Sequence, residues 1–112
     1  MTGSAAPCTI AVDVMGSDLG PSEFIRGLLY AREELKLDSE IILVGKERLI
    51  DRLLKAQKSK TALQKLRIHH ASEVVDMDDK PVMAMRSKKD ASMFQAVNLV
   101  KEGEASAVVS CG

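Results

Sequence analysis

The chain has 112 residues, 46% of them hydrophobic and 29% charged, a composition for one globular domain and not for a disordered segment. Sixteen basic residues balance sixteen acidic ones, and two Phe, one Tyr and no Trp leave few stacking platforms, so nothing here points to nucleic acid. Cys8 and Cys111 are the only cysteines, without CxxC or metal-ligand spacing, which disfavours a secreted disulfide scaffold and suits a reducing cytoplasm. The start has no basic segment followed by a long apolar one, as a secretory signal requires, and the longest aliphatic run, IILV, is too short to span a bilayer. Attachment to a membrane surface is left open by that argument.

Residues 1–8 (MTGSAAPC) have no apolar pattern and are expected to form a flexible tail, with residues 9–112 making one α/β unit. Residues 9–15 (TIAVDVM) are rich in β-branched side chains and read as a strand buried on both faces, interrupted only by Asp13. GSDLG is the turn that follows. Pro21 lacks an N–H and suits the first turn of a helix, where Glu23 meets the positive end of the dipole. Phe24, Ile25, Leu28, Leu29 and Leu35 then recur at helical spacing to about residue 37. Glu40–Gly45 (EIILVG) is a second buried strand closed by glycine. KERLIDRLLKAQ gathers Leu49, Ile50, Leu53 and Leu54 on one helical face, and residues 66–71 (LRIHHA) read as a third strand. SEVVDMDDKP is an acid-rich loop, and a short helix is expected from Pro81. Residues 90–103 place Met93, Ala96, Val97 and Val100 at helical spacing and stop at Gly103. Residues 105–112 (ASAVVSCG) form a fourth strand. Strands alternating with helices predict a parallel sheet with right-handed crossovers and helices on its faces. Ligands of such sheets bind just beyond the C-terminal ends of the strands. The sequence stops where the loop after the fourth strand would begin, so the chain is expected to be a fragment of a longer protein.

Two stretches suit a ligand. In DVMGSDLGP, Gly16 and Gly20 let backbone approach an anion, Ser17 adds a hydroxyl, and the following helix start supplies N–H donors. By spacing alone the same residues read first as a tight strand-to-helix turn that needs glycine, and the stretch is neither GxGxxG nor a P-loop. Asp13 and Asp18 would repel bare phosphate unless a cation intervened. In MRSKKDASM, Arg86, Lys88 and Lys89 put positive charge beside a helix start; alternatively they form a solvated basic turn, with Asp90 as an ordinary N-cap. His69 and His70 are strand neighbours facing opposite sides, so they do not grip one metal. DMDD (76–79) lacks further ligands at cation spacing, Cys111 reads as a structural thiol, and Met77, Met83, Met85 and Met93 read as core filler.

IAVDVMGSDLGP, IILVG, IHHASEVVDMDDKPVMAMRSKKDASM and AVNLVKEGEASAVVSCG, in this order and spacing, resemble the N-terminal part of the phosphate acyltransferases of phospholipid synthesis (the PlsX family). The resemblance runs from about Thr9 to Gly112. It implies a three-layer α/β/α fold with a mostly parallel sheet, similar to phosphotransacetylases and to isocitrate and isopropylmalate dehydrogenases. It also implies transfer of a long-chain fatty acyl group from acyl carrier protein to inorganic phosphate, giving acyl phosphate for phospholipid synthesis. Family members are cytoplasmic homodimers that can sit on the membrane surface, and neither a cofactor nor a metal is implied. Three departures stand out: Ser17 where a second glycine is usual, Ala91 where the family has serine, and the end of the chain at Gly112 where the family continues.

Carried onto this sequence, the resemblance points to Gly16 and Ser17 in the first loop, Lys88, Lys89 and Ser92 in the later one, and Gly112 at the far end as phosphate- or carrier-binding residues. No catalytic residue is assigned. The rival reading is a small α/β binding module of receiver type, with Asp13, Asp76, Asp78, Asp79 and Lys88 as its tempting residues. A third is an oligomerisation fragment with no site of its own. The acyltransferase reading requires the bend at residues 15–20 and the segment 86–92 to share one rim of the sheet.

Overall fold

The computed structural model describes residues 8–16, 19–36, 38–57, 63–75 and 78–110. Four strands, β1 (Thr9–Asp13), β2 (Glu40–Gly45), β3 (Leu66–His70) and β4 (Ala107–Ser110), form one parallel sheet in the order β3-β2-β1-β4. Parallel neighbours need crossovers, and the helices supply them. They are α1 (Gly20–Glu34), α2 (Glu47–Lys55), α3 (Pro81–Ser87) and α4 (Ser92–Lys101). The expected α/β architecture is therefore present.

Side-chain alternation in β1 and β2 assigns the layers. Val12, Val14, Ile41 and Leu43 face Ile25 and Leu29 of α1 and Ile50 of α2. Ala11, Ile42 and Val44 point the other way, to Ala96 and Leu99 of α4, with Ala71 and Ala105 beside them. Both central strands are thus buried on two sides, which is why they read as nearly unbroken apolar runs. Each fully buried Ile or Leu contributes about 1.5–3 kcal/mol. The α4 face is lined by alanines, and these small side chains let that helix lie close to the sheet.

Several boundaries differ from the sequence expectation for local reasons. β1 ends at Asp13, two residues early, because the Asp13 carboxylate takes the Met15 N–H at 3.0 Å and turns the chain. α1 stops at Glu34, since Lys36 adopts a left-handed φ of 52° and Leu35 is left 68% exposed instead of packed. α4 begins at Ser92, with Ala91 and not Asp90 at the N-cap position. Its buried stripe is Ser92, Ala96 and Leu99, so Val97 faces outward. Met83 and Met85 are exposed on α3 and do not fill the core; Met77 lies outside the described residues. The expected tail falls outside them too, except for exposed Cys8.

Candidate functional site

In this strand order the chain leaves β1 towards β2 on one side and returns to β4 on the other. The crevice of such a sheet opens at the carboxyl ends of the strands where the order reverses, here between β1 and β4. Asp13, the last residue of β1, stands opposite Ser110, the last of β4. Its side chain is on the α4 face and 1% exposed. Ser92 Oγ, at the first residue of α4, donates to Asp13 Oδ1 at 2.6 Å, and Ser110 Oγ donates to Oδ2 at 2.9 Å. With the Met15 N–H, one carboxylate ties together the β1–α1 bend, the start of α4 and the end of β4. A buried carboxylate without such donors would be costly; with three it becomes a rigid joint.

A second carboxylate braces the outer side of the same helix start. Asp90 accepts from the backbone N–H of Ser72 at 2.8 Å and from its hydroxyl, and Gln95 Nε2 donates to it at 3.0 Å. The Ser72 hydroxyl, then the Ser72 N–H, hold the Asp90 carboxyl below its ordinary range, with a smaller electrostatic contribution in the same direction from the neighbouring His70 and His69 rings. His69 Nε2 lies 3.3 Å from Gln95 Oε1, while His70 Nδ1 accepts the Glu47 N–H at 3.1 Å. The two histidines therefore work on opposite faces of β3. A parallel bridge between Glu73 and Ala91, with the Ser92 N–H donating to Glu73 O at 2.9 Å, completes the fastening.

The structure separates the two lysines that the sequence left equivalent. Lys88 Nζ is 2.7 Å from Asp79 Oδ2 and donates to Val74 O at 3.1 Å, so it pins the acid-rich loop. Lys89 is exposed and lines a groove beside α4. Gly16 lies just past the Met15 turn, half-buried. Ser17 and Gly112 lie outside the described residues, as do Asp18, Asp76 and Cys111. Among the described sites, Ser92 and Met15, the neighbour of Gly16, both donate to Asp13 Oδ1, and Lys89 sits three residues before Ser92. Asp13, Ser110, Ser72 and Asp90 carry the joint yet are not among the expected phosphate- or carrier-binding residues, Asp13 being named only for the receiver-type rival. For Asp13 the signal was an acid inside a strand buried on both faces. Among the described residues, no three His, Cys, Asp or Glu side chains gather to hold a metal, and no helix is long and apolar enough to cross a membrane.

The sequence profile described as "Fatty acid synthesis protein" matches residues 8–112. The chain belongs to the fatty acid synthesis protein family. Members similar to it include a phosphate acyltransferase of Heliobacterium modesticaldum, 50% identical over 103 residues, covering 92% of this chain and 30% of the relative. The phosphate acyltransferase of Methylococcus capsulatus is 44% identical over 104 residues, covering 93% and 30%. That of Francisella philomiragia is 46% identical over 110 residues, covering 92% and 31%. This family member thus spans about 30% of the length of the curated relatives it matches. The receiver-type rival fails on geometry. Its fold runs in the order 2-1-3-4-5, whereas β1 here lies between β2 and β4. A phosphoacceptor must also meet its donor, and Asp13 is 1% exposed and already holds two hydroxyls.

Proposed function

We propose that this chain supplies the phosphate-facing rim of an enzyme that moves a long-chain fatty acyl group from acyl carrier protein to inorganic phosphate. One observation carries the reading: the 2.6 Å bond from Ser92 to Asp13 joins the glycine bend after β1 to the start of α4 at the sheet's switch point. Glycine backbone and a helix start are suited to an oxyanion. The Ser92 N–H is taken by Glu73 O, while the Met93 and Phe94 N–H groups that follow lack intrahelical acceptors and a side-chain cap, and Arg86 and Lys89 lie near in sequence. The printed names of the relatives agree with this chemistry. Asp13 is 1% exposed and its oxygens are turned to internal donors, so it does not itself line the surface an anion would approach.

In the proposed reaction a phosphate oxygen attacks the thioester carbonyl carbon. A C–O bond forms, the C–S bond breaks, and the phosphate proton ends on the carrier thiol. The rim contributes by holding phosphate in line and by stabilising developing negative charge. The test uses the chain fused to the part of the Heliobacterium modesticaldum relative that it does not cover. Acyl phosphate, trapped as the hydroxamate, is expected to appear only with both acyl carrier protein and phosphate. No phosphate-dependent product from the fusion, beside an active relative, refutes the reading.

A further inference from the structure

Ser92, Ala96 and Leu99 commit one side of α4 to the sheet. The opposite side presents Met93, Phe94, Val97 and Asn98. With Met85 of α3 and Lys89 of the intervening turn they line an open groove of about 540 Å³, within the usual range for small-molecule sites. Met85 is 61% and Val97 49% exposed, so the floor is apolar and wet. Its two methionines are flexible and polarisable, suited to a ligand without fixed shape. One cation stands at the rim: among the described residues Lys89 makes no ion pair, whereas Lys88 is engaged by Asp79. Met93 directly follows Ser92, so the groove opens one residue from the Asp13 joint.

We propose that this groove holds the aliphatic chain of a long-chain acyl phosphate, with Lys89 pairing its anionic head. The inference rests on the acyl-transfer reading and says where the product lies. Charge complementarity selects this occupant. A second copy docked about a twofold axis through the groove would offer Lys89 only the same lining, which holds no carboxylate. A neutral apolar partner covering the groove would take water from the lysine without offering a counter-charge. An aliphatic anion satisfies both the apolar floor and the ammonium group.

The test is methyl NMR on the 112-residue chain with labelled methionines, titrated with dodecyl phosphate below its micelle concentration. Saturable shifts of the Met85 and Met93 methyls are expected. Lys89→Glu should weaken binding at least about tenfold, and Val97→Asp, at an exposed position that leaves the fold intact, should remove it. Dodecyltrimethylammonium, the same tail with a cationic head, should bind at least about tenfold more weakly than dodecyl phosphate. Inorganic phosphate alone should leave both methyls unmoved. Unmoved methyls with dodecyl phosphate, or equal affinity for wild type and Lys89→Glu, overturn the proposal. Shifts that follow protein concentration without ligand also overturn it, in favour of a second copy. Dodecyl phosphate binding without acyl transfer by the fusion protein refutes the reaction and leaves the groove. Transfer without binding refutes the groove and leaves the reaction.

Discussion

Replacing Asp13 with alanine should be among the most damaging single changes in the chain. The carboxylate accepts from Ser92 Oγ at 2.6 Å, Ser110 Oγ at 2.9 Å and the Met15 N–H at 3.0 Å. Hydrogen bonds to a charged group contribute about 1.5–3 kcal/mol each, but the three do not simply add. β4 is exposed along its length, so water replaces the acceptor lost to Ser110. Ser92 is 1% exposed, so its hydroxyl is stranded. Alanine also removes the desolvation cost of the carboxylate, which offsets part of the loss. The net expectation is about 3 kcal/mol for Asp13→Ala and about 2 for Ser92→Ala. The double variant should cost well under their sum, because each group satisfied the other. Urea unfolding followed by far-UV circular dichroism at pH 7 measures all three. With a slope of about 1–3 kcal/mol per molar, the Asp13→Ala midpoint falls by at least about 1 M. A loss below about 0.5 kcal/mol, or strict additivity in the cycle, would refute the joint.

Three further outcomes follow from individual contacts. A Cβ on Gly45 would lie 2.8 Å from Met15 Cγ and 2.9 Å from the stiff Val14 Cγ2, so Gly45→Ala should cost about 1–3 kcal/mol in urea unfolding and displace Met15. Arg32 is 5% exposed and, among the described residues, its Nη1 has no hydrogen-bond partner; burial lowers its pKa and the attraction of Asp38 offsets only part of that, so Arg32→Met should raise stability by about 1 kcal/mol, read as a higher urea midpoint. The folded carboxyl of Asp90 titrates below its unfolded value, so its stabilisation is present above about pH 4 and disappears as pH falls through the lower folded value. Ser72→Ala should therefore raise the Asp90 pKa in a carboxyl NMR titration, and its stability deficit should be larger at pH 7 than at pH 2.5.

The alternation and the layers were legible in the sequence because burial has a period. Within EIILVG the four residues 41–44 are all apolar since Ile41 and Leu43 face α1 and α2 while Ile42 and Val44 face α4. The same logic failed on α4. Val97 matched the apolar period, yet the seat against the sheet goes to Ser92, whose hydroxyl has a carboxylate to meet there. Leu35 failed for a local reason, the left-handed turn at Lys36. Lys88 and Lys89 are chemically equal neighbours in the chain, and only the position of Asp79 tells them apart.

The amino-acid order by itself determined a parallel α/β unit, its element order, its family resemblance and the two loops near which a ligand should lie. These follow from short-range periodicity and from motifs contiguous in the chain. Only the tertiary structure decided that Asp13, Ser92 and Ser110 meet, because the partners lie 79 and 97 residues from the aspartate. Hydrogen bonds form across space, and strand order, which local pattern does not encode, sets which distant residues arrive together.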